Sequence, residues 1–198
     1  HDNAYPGKQA RARHHESKKQ FMIILITGGT RSGKSTYAQR LALELSDHPV
    51  YVATAHIWDE DFKERIERHK SGRDERWTNM EEERWVSALP LENRTVVIDC
   101  VTLWLTNFFS EYHSEVETCL ESIRKEIDAL ESKNGNFIII SNELGMGMHA
   151  DTAIGRKFTD LQGWANQYIA AKSEKVILMV AGIPVTIKQT VNAVNHES

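Results

Sequence analysis

The chain is short of cysteine, of proline, of long apolar runs and of positive charge, and each shortage closes off a class of proteins. Two cysteines in 198 residues, Cys100 and Cys119, cannot build a disulfide scaffold. There is no CxxC, and no pair of His or Cys at zinc-site spacing has a matching second pair. The two thiols read instead as buried side chains of a cytoplasmic protein. The longest apolar run, "FMIILI" at 21–26, is of strand length, whereas a helix that crosses a bilayer needs ~20 such residues. Nothing resembles a secretory signal. Four prolines and eleven glycines form no linker, and no repeat or low-complexity stretch interrupts the chain.

Basic charge is outweighed by acid, 24 Lys and Arg against 28 Asp and Glu. Five of those bases and only two acids lie in residues 1–20, "HDNAYPGKQARARHHESKKQ", which hold almost nothing to bury. The rest keeps 19 bases and 26 acids, a balance of −7. An acidic body argues against nucleic acid as the main partner, because contacts to phosphate supply most of that affinity. Residues 1–20 read as a disordered extension or an expression scar, since Met22 opens the first apolar run. Residues 21–198 read as one domain, of a size that buries roughly 70% of its unfolded surface.

What is present is an alternation. Runs rich in Ile and Val fall at 21–27, 50–53, 95–99, 137–141 and 176–181, continuous as in strands covered on both faces. Between them, amphipathic spacing predicts helices at 34–46, 59–71, 81–88, 101–111, 114–133 and 153–172. The expectation is a three-layer α/β domain, with a mostly parallel central sheet and helices on both faces.

"ILITGGTRSGKSTYAQRLALEL" carries the strongest local signal. Gly28, Gly33, Lys34 and Ser35 fit GxxxxGK[ST] directly after a strand and directly before a helix, the context that marks a P-loop. Gly28, Gly29 and Gly33 let the backbone curl so that its N–H groups face phosphate oxygens, with Thr30, Arg31 and Ser32 completing the cradle. The helix start adds its positive end. Lys34 can reach the β- and γ-phosphates, and the Ser35 hydroxyl can ligate Mg²⁺. The bland alternative is a glycine turn between strand and helix.

A P-loop also needs a carboxylate on a nearby strand to hold the metal. "TVVIDC" supplies Asp99 at the C-terminal end of an apolar strand, where ligands sit in open α/β sheets. Capping of the next helix is the other reading of that Asp. The chain shows no NKxD for a guanine-specific switch, and it lacks the length and basic surface of a nucleic-acid motor. A small-molecule kinase or nucleotidyltransferase fits.

One histidine then stands out. In "RIERHKSGRDERW", His69 shares a helix face with Ile66 and Phe62, and Lys70, Arg73 and Arg76 follow it. Packing at a helix end explains a lone histidine as well as nucleophilic chemistry does. The set "GGTRSGKS", "YVATA", "RIERHKSGRDERW", "VVIDCVTLWLTN" and "SNELGMG" resembles the bifunctional adenosylcobinamide kinase/adenosylcobinamide-phosphate guanylyltransferase family of cobalamin biosynthesis, over about residues 22–188.

The resemblance implies a RecA-like P-loop fold and a cytoplasmic enzyme. ATP and GTP would be its co-substrates with Mg²⁺, and adenosylcobinamide its corrinoid substrate. His69 would become guanylylated. Contacts to nucleotide would come from Gly28 to Ser35, Ala53, Thr54 and Ala55, Lys70, Ser71, Gly72 and Arg73, Glu81 and Asp99. It also implies a homotrimer, for which the "TLWLTNFF" helix is the expected interface. The chain departs from the family pattern at Asp74, where Pro is usual, at Asn79, where Thr is usual, and at "MHAD" after "GMG". A kinase for another small alcohol with a structural His69, and a non-catalytic nucleotide switch, are the alternatives.

Overall fold

The computed structural model describes residues 21–56 and 72–190. The arm at 1–20 and the expected helix at 59–71, with His69, Lys70 and Ser71, lie outside the described residues. Among these residues, seven strands form one sheet: β1 (Phe21–Gly28), β2 (Val50–Ala53), β3 (Thr78–Glu81), β4 (Arg94–Asp99), β5 (Gly135–Ile140), β6 (Lys175–Val180) and β7 (Ile183–Gln189). Their order is β3-β2-β4-β5-β1-β6-β7, all parallel except β7, which runs antiparallel to β6. Among the described residues, four helices join them: α1 (Lys34–Leu45), α2 (Val101–Glu111), α3 (Val116–Glu131) and α4 (Ala153–Lys172).

The continuous apolar strands serve two cores at once, because successive side chains point to opposite faces. Ile23, Leu25, Val96, Ile98, Phe137 and Ile139 face α2, α3 and α4 through Trp104, Phe108, Ile123, Ile127, Leu161 and Ile169. Ile24, Ile26, Tyr51, Val97, Ile138 and Ile140 face α1 through Ala38 and Ala42. Each large side chain buried this way is worth roughly 1.5–3 kcal/mol. The expected three-layer α/β architecture is therefore present.

Three expectations change. The helix at 81–88 does not form. Thr78–Glu81 pairs with β2 as an edge strand, and only one 3-10 turn, Val86–Ala88, follows. The Glu82 carboxylate accepts from the N–H groups of Arg84 and Trp85, both at 2.9 Å, and so competes with a helix for those donors. β7 was not expected either: Pro184 weakens its strand signal, yet proline is tolerated on an edge. Ala181 and Gly182, both at positive φ, make the two-residue hairpin turn that joins it to β6.

The third change concerns α2. Trp104, Leu105 and Phe108 are wholly buried within this chain, and Trp104 Nε1 donates to the Arg84 carbonyl at 2.7 Å. The helix cannot offer those side chains to a neighbouring subunit.

Candidate active site

β1 ends at Gly28, where the backbone turns into the loop that starts α1. A β-carbon on Gly28 would lie 2.5 Å from the Met179 carbonyl oxygen and 2.9 Å from Ser32 Oγ, at a φ of +150°. Gly33 caps α1 in the left-handed region and accepts from Tyr37 N–H at 3.0 Å. Gly29, Thr30 and Arg31 are exposed at the mouth of the loop. Gly28→Ala is thus expected to cost about 2–3 kcal/mol of stability by chemical denaturation. Gly29→Ala, with nothing within 4 Å of the added carbon, should cost much less.

Lys34 is buried and folds back over the loop, donating to the Gly29 carbonyl at 2.5 Å and to Ser32 Oγ at 3.4 Å. Burial lowers its ammonium pKa, against the opposing pull of the Asp99 charge. Cys100 is pushed up to about 12, chiefly by burial, so it is a neutral thiol. The buried free thiols expected from the sequence are both present.

Asp99 receives two hydroxyl donors on one oxygen. Ser35 Oγ donates to Oδ2 at 2.9 Å and Tyr51 Oη at 2.5 Å. A hydroxyl at the start of α1 and a carboxylate at the end of β4, both hard oxygen donors, fit Mg²⁺, and the neutral Cys100 offers no competing thiolate. Burial, then the Asp99 charge, raises the Tyr51 phenol well above its usual range. Arg73 lies over the ring of this phenol, its guanidinium carbon 3.7 Å from the ring centroid.

The sheet register lines up three expected residues. Ala53 on β2 pairs with Asp99 on one side and Glu81 on the other. At ~4.8 Å between strands, Asp99 and Glu81 sit roughly 10 Å apart. Thr54 continues the row: its N–H donates to the Asp99 carbonyl at 3.0 Å, and its hydroxyl bonds both the carbonyl and the N–H of Cys100, at 2.8 and 2.9 Å. Glu81 also borders a cleft of about 510 Å³, lined by Ala55, His56, Glu82, Glu83, Arg84 and Trp85. There His56 Nδ1 and Glu83 Oε1 are 2.5 Å apart. Gly72 is exposed on a turn before Arg73.

Asn107 holds this side of the site together, and sequence reasoning missed it. From the buried face of α2, its amide donates to the Thr54 carbonyl at 2.7 Å and the Glu83 carbonyl at 2.8 Å. The available signal was a lone Asn on an otherwise apolar helix face. Asn107→Ala leaves two carbonyls without a donor, and a loss of about 2–3 kcal/mol is expected by denaturation. Asn107→Asp should be worse, because it sets a carboxylate against the same two oxygens.

"SNELGMG" follows β5, beside the P-loop strand. Glu143 N–H donates to the Gly28 carbonyl at 3.1 Å, and its carboxylate accepts from Gly145 N–H at 2.7 Å. The acid therefore caps its own loop. Behind it, Ser141, Gln162 and Asn166 share a polar network, and Thr102 takes the Asn142 amide at 2.9 Å. His149 is exposed.

The sequence profile of the cobinamide kinase/cobinamide phosphate guanyltransferase family matches residues 24–187. The chain belongs to that family. A bifunctional adenosylcobalamin biosynthesis protein of Escherichia coli is 35% identical over 184 residues, spanning 84% of this chain and 100% of its own length. A relative with the same description from Pseudomonas aeruginosa is 36% identical over 176 residues, covering 84% of this chain and 98% of its own. Among solved structures, the flagellar accessory protein FlaH of Methanocaldococcus jannaschii gives a TM-score of 0.45 at 15% identity, over 85% of this chain and 78% of that one.

Asp74 and Asn79, the positions where the resemblance leads one to expect Pro and Thr, both have structural roles. Asp74 grips the Arg76 side chain at 2.7–3.1 Å, and Asn79 Oδ1 accepts from Arg73 Nε at 2.6 Å. The second bond steadies the guanidinium over Tyr51.

Proposed function

We propose that the chain performs both reactions in its family's name, with adenosylcobinamide as the corrinoid. The hydroxyl of its aminopropanol arm attacks the γ-phosphorus of ATP or GTP, the bond from that phosphorus to the β,γ-bridging oxygen breaks, and the nucleoside diphosphate leaves. The backbone cradle at Gly28–Ser35 binds the phosphates, and Lys34 neutralises charge on the group in transfer. Mg²⁺ would be held by Ser35 and Asp99 and would supply further neutralisation of phosphate charge.

In the second reaction a ring nitrogen of His69 attacks the α-phosphorus of GTP and expels pyrophosphate. The resulting phosphoramidate is then attacked by a phosphate oxygen of adenosylcobinamide phosphate, which frees the imidazole and yields adenosylcobinamide-GDP. Splitting the transfer avoids bringing two polyanions together in a single step. Lys70, Ser71, Gly72, Arg73 and Glu81 belong to this guanylyl side. The converging contacts on Asp99 support the kinase half most directly, because they join the P-loop serine to the strand-end carboxylate across 64 residues.

A cytoplasmic location and a homotrimeric state are part of the same reading, drawn from the family resemblance. Among the described residues, no helix is long and apolar enough to cross a membrane. The deciding experiment is an intact mass after incubation with GTP and Mg²⁺. A covalent GMP adduct supports the reading, and a protein that phosphorylates adenosylcobinamide without ever forming one overturns its second half.

A further inference from the structure

We propose that Tyr51 is a positioning residue that joins the two halves of the site, its hydroxyl fixing the Asp99 carboxylate and its ring carrying Arg73. The Arg73 half rests on the guanylyl-transfer reading above; the Asp99 half rests on the P-loop alone.

Tyr51 lies on β2, opposite Val97 of β4, and the period of two puts Tyr51, Val97 and Asp99 on the α1 face of the sheet. Only 4% of the residue is exposed, with Trp77 edge-on at 6.1 Å between ring centroids. A buried tyrosine needs an acceptor for its hydroxyl, and a neighbouring backbone carbonyl would meet that need. Here the acceptor is the functional carboxylate itself, and the same oxygen that Ser35 uses. Two donors on Oδ2 fix the rotation of the carboxylate and leave the lone pairs of Oδ1 to other use. Groups that orient a metal-holding carboxylate in this manner change metal affinity when removed.

The ring does separate work. A guanidinium 3.7 Å above a phenol face is held by the ring's negative quadrupole. Asn79 fixes it from the side through Nε. Arg73 follows His69 by four positions in the sequence, and the ring fixes its guanidinium beside β2. Tyr51 thus touches one group from each chemistry, and its hydroxyl can be removed without its ring.

Tyr51→Phe keeps the ring and drops the hydroxyl, whereas Tyr51→Leu drops both. Mn²⁺ serves as the probe, titrated by electron paramagnetic resonance into protein saturated with a non-hydrolysable ATP analogue. Both variants are expected to bind Mn²⁺ about tenfold more weakly, from loss of one charge-assisted hydrogen bond. The GTP concentration for half-maximal GMP adduct, read by intact mass at saturating Mg²⁺, should rise about tenfold in Tyr51→Leu and much less in Tyr51→Phe. Melting temperatures confirm that each variant is folded under assay conditions.

Unchanged Mn²⁺ affinity in a folded Tyr51→Phe protein overturns the Asp99 half. Equal GTP shifts in the two variants overturn the Arg73 half. Failure of the underlying guanylyl reading has a different signature: the unmodified protein forms no adduct, which removes the Arg73 half and leaves the Mn²⁺ titration to decide the other.

Discussion

His69→Ala is expected to leave the intact mass unchanged after incubation with GTP and Mg²⁺, and to make no adenosylcobinamide-GDP, while still phosphorylating adenosylcobinamide. The loss should be complete rather than partial, because the proposed reaction runs through the ring nitrogen of His69 alone. Phosphorylation persists because the P-loop, Ser35 and Asp99 act by positioning and charge neutralisation, without a covalent intermediate. In the unmodified protein the adduct should be labile in acid and comparatively stable in base, as a phosphoramidate is and a serine ester is not. A structural histidine gives the opposite pattern, with a lowered melting temperature and both activities declining together. Guanylylation that survives in folded His69→Ala protein would place the nucleophile elsewhere.

Lys34→Ala should reduce phosphorylation of adenosylcobinamide by roughly 10²–10³-fold or more, the scale seen when one transition-state donor is removed. Its ammonium already sits against the loop, bonded to the Gly29 carbonyl and Ser32 Oγ. Burial lowers its pKa, so a cation is held there at a desolvation cost that phosphate oxygens would offset. The backbone cradle does not depend on this side chain, and the melting temperature should fall by only a few degrees. Near wild-type turnover in Lys34→Ala would remove the P-loop from catalysis. A collapse of the melting temperature would instead make Lys34 a structural residue.

The phosphate cradle was legible because its determinants are local. Positive φ at Gly28 and Gly33, a strand before and a helix after are all written within about fifteen residues. Asp99 was legible for a similar reason, since an acid at the end of a continuous apolar strand is conspicuous. β3 was not: "TNME" is polar and exposed, and nothing within it says that β2 lies alongside. The mistaken helix at 81–88 followed from apolar spacing at Trp85 and Val86, which the Glu82 side chain overrides by taking the donors of Arg84 and Trp85. The helix expected to form a subunit interface has the right composition, but Trp104 and Phe108 are buried in this chain's own core, and Phe109 is partly buried against it.

By itself, then, the sequence determined the kind of sheet, the phosphate loop, the strand-end acid and the family, all of which depend on residue order over short windows. Tertiary structure alone decided which residues serve them. Tyr51 reads as one more apolar strand position until pairing of β2 with β4 brings its hydroxyl to Asp99, 48 residues away. Asn107 reads as a polar blemish on a buried helix until the ends of β2 and β3 present it with two carbonyls. Hydrogen bonds between distant segments depend on which strands become neighbours, and the pattern within any one segment is compatible with many neighbours.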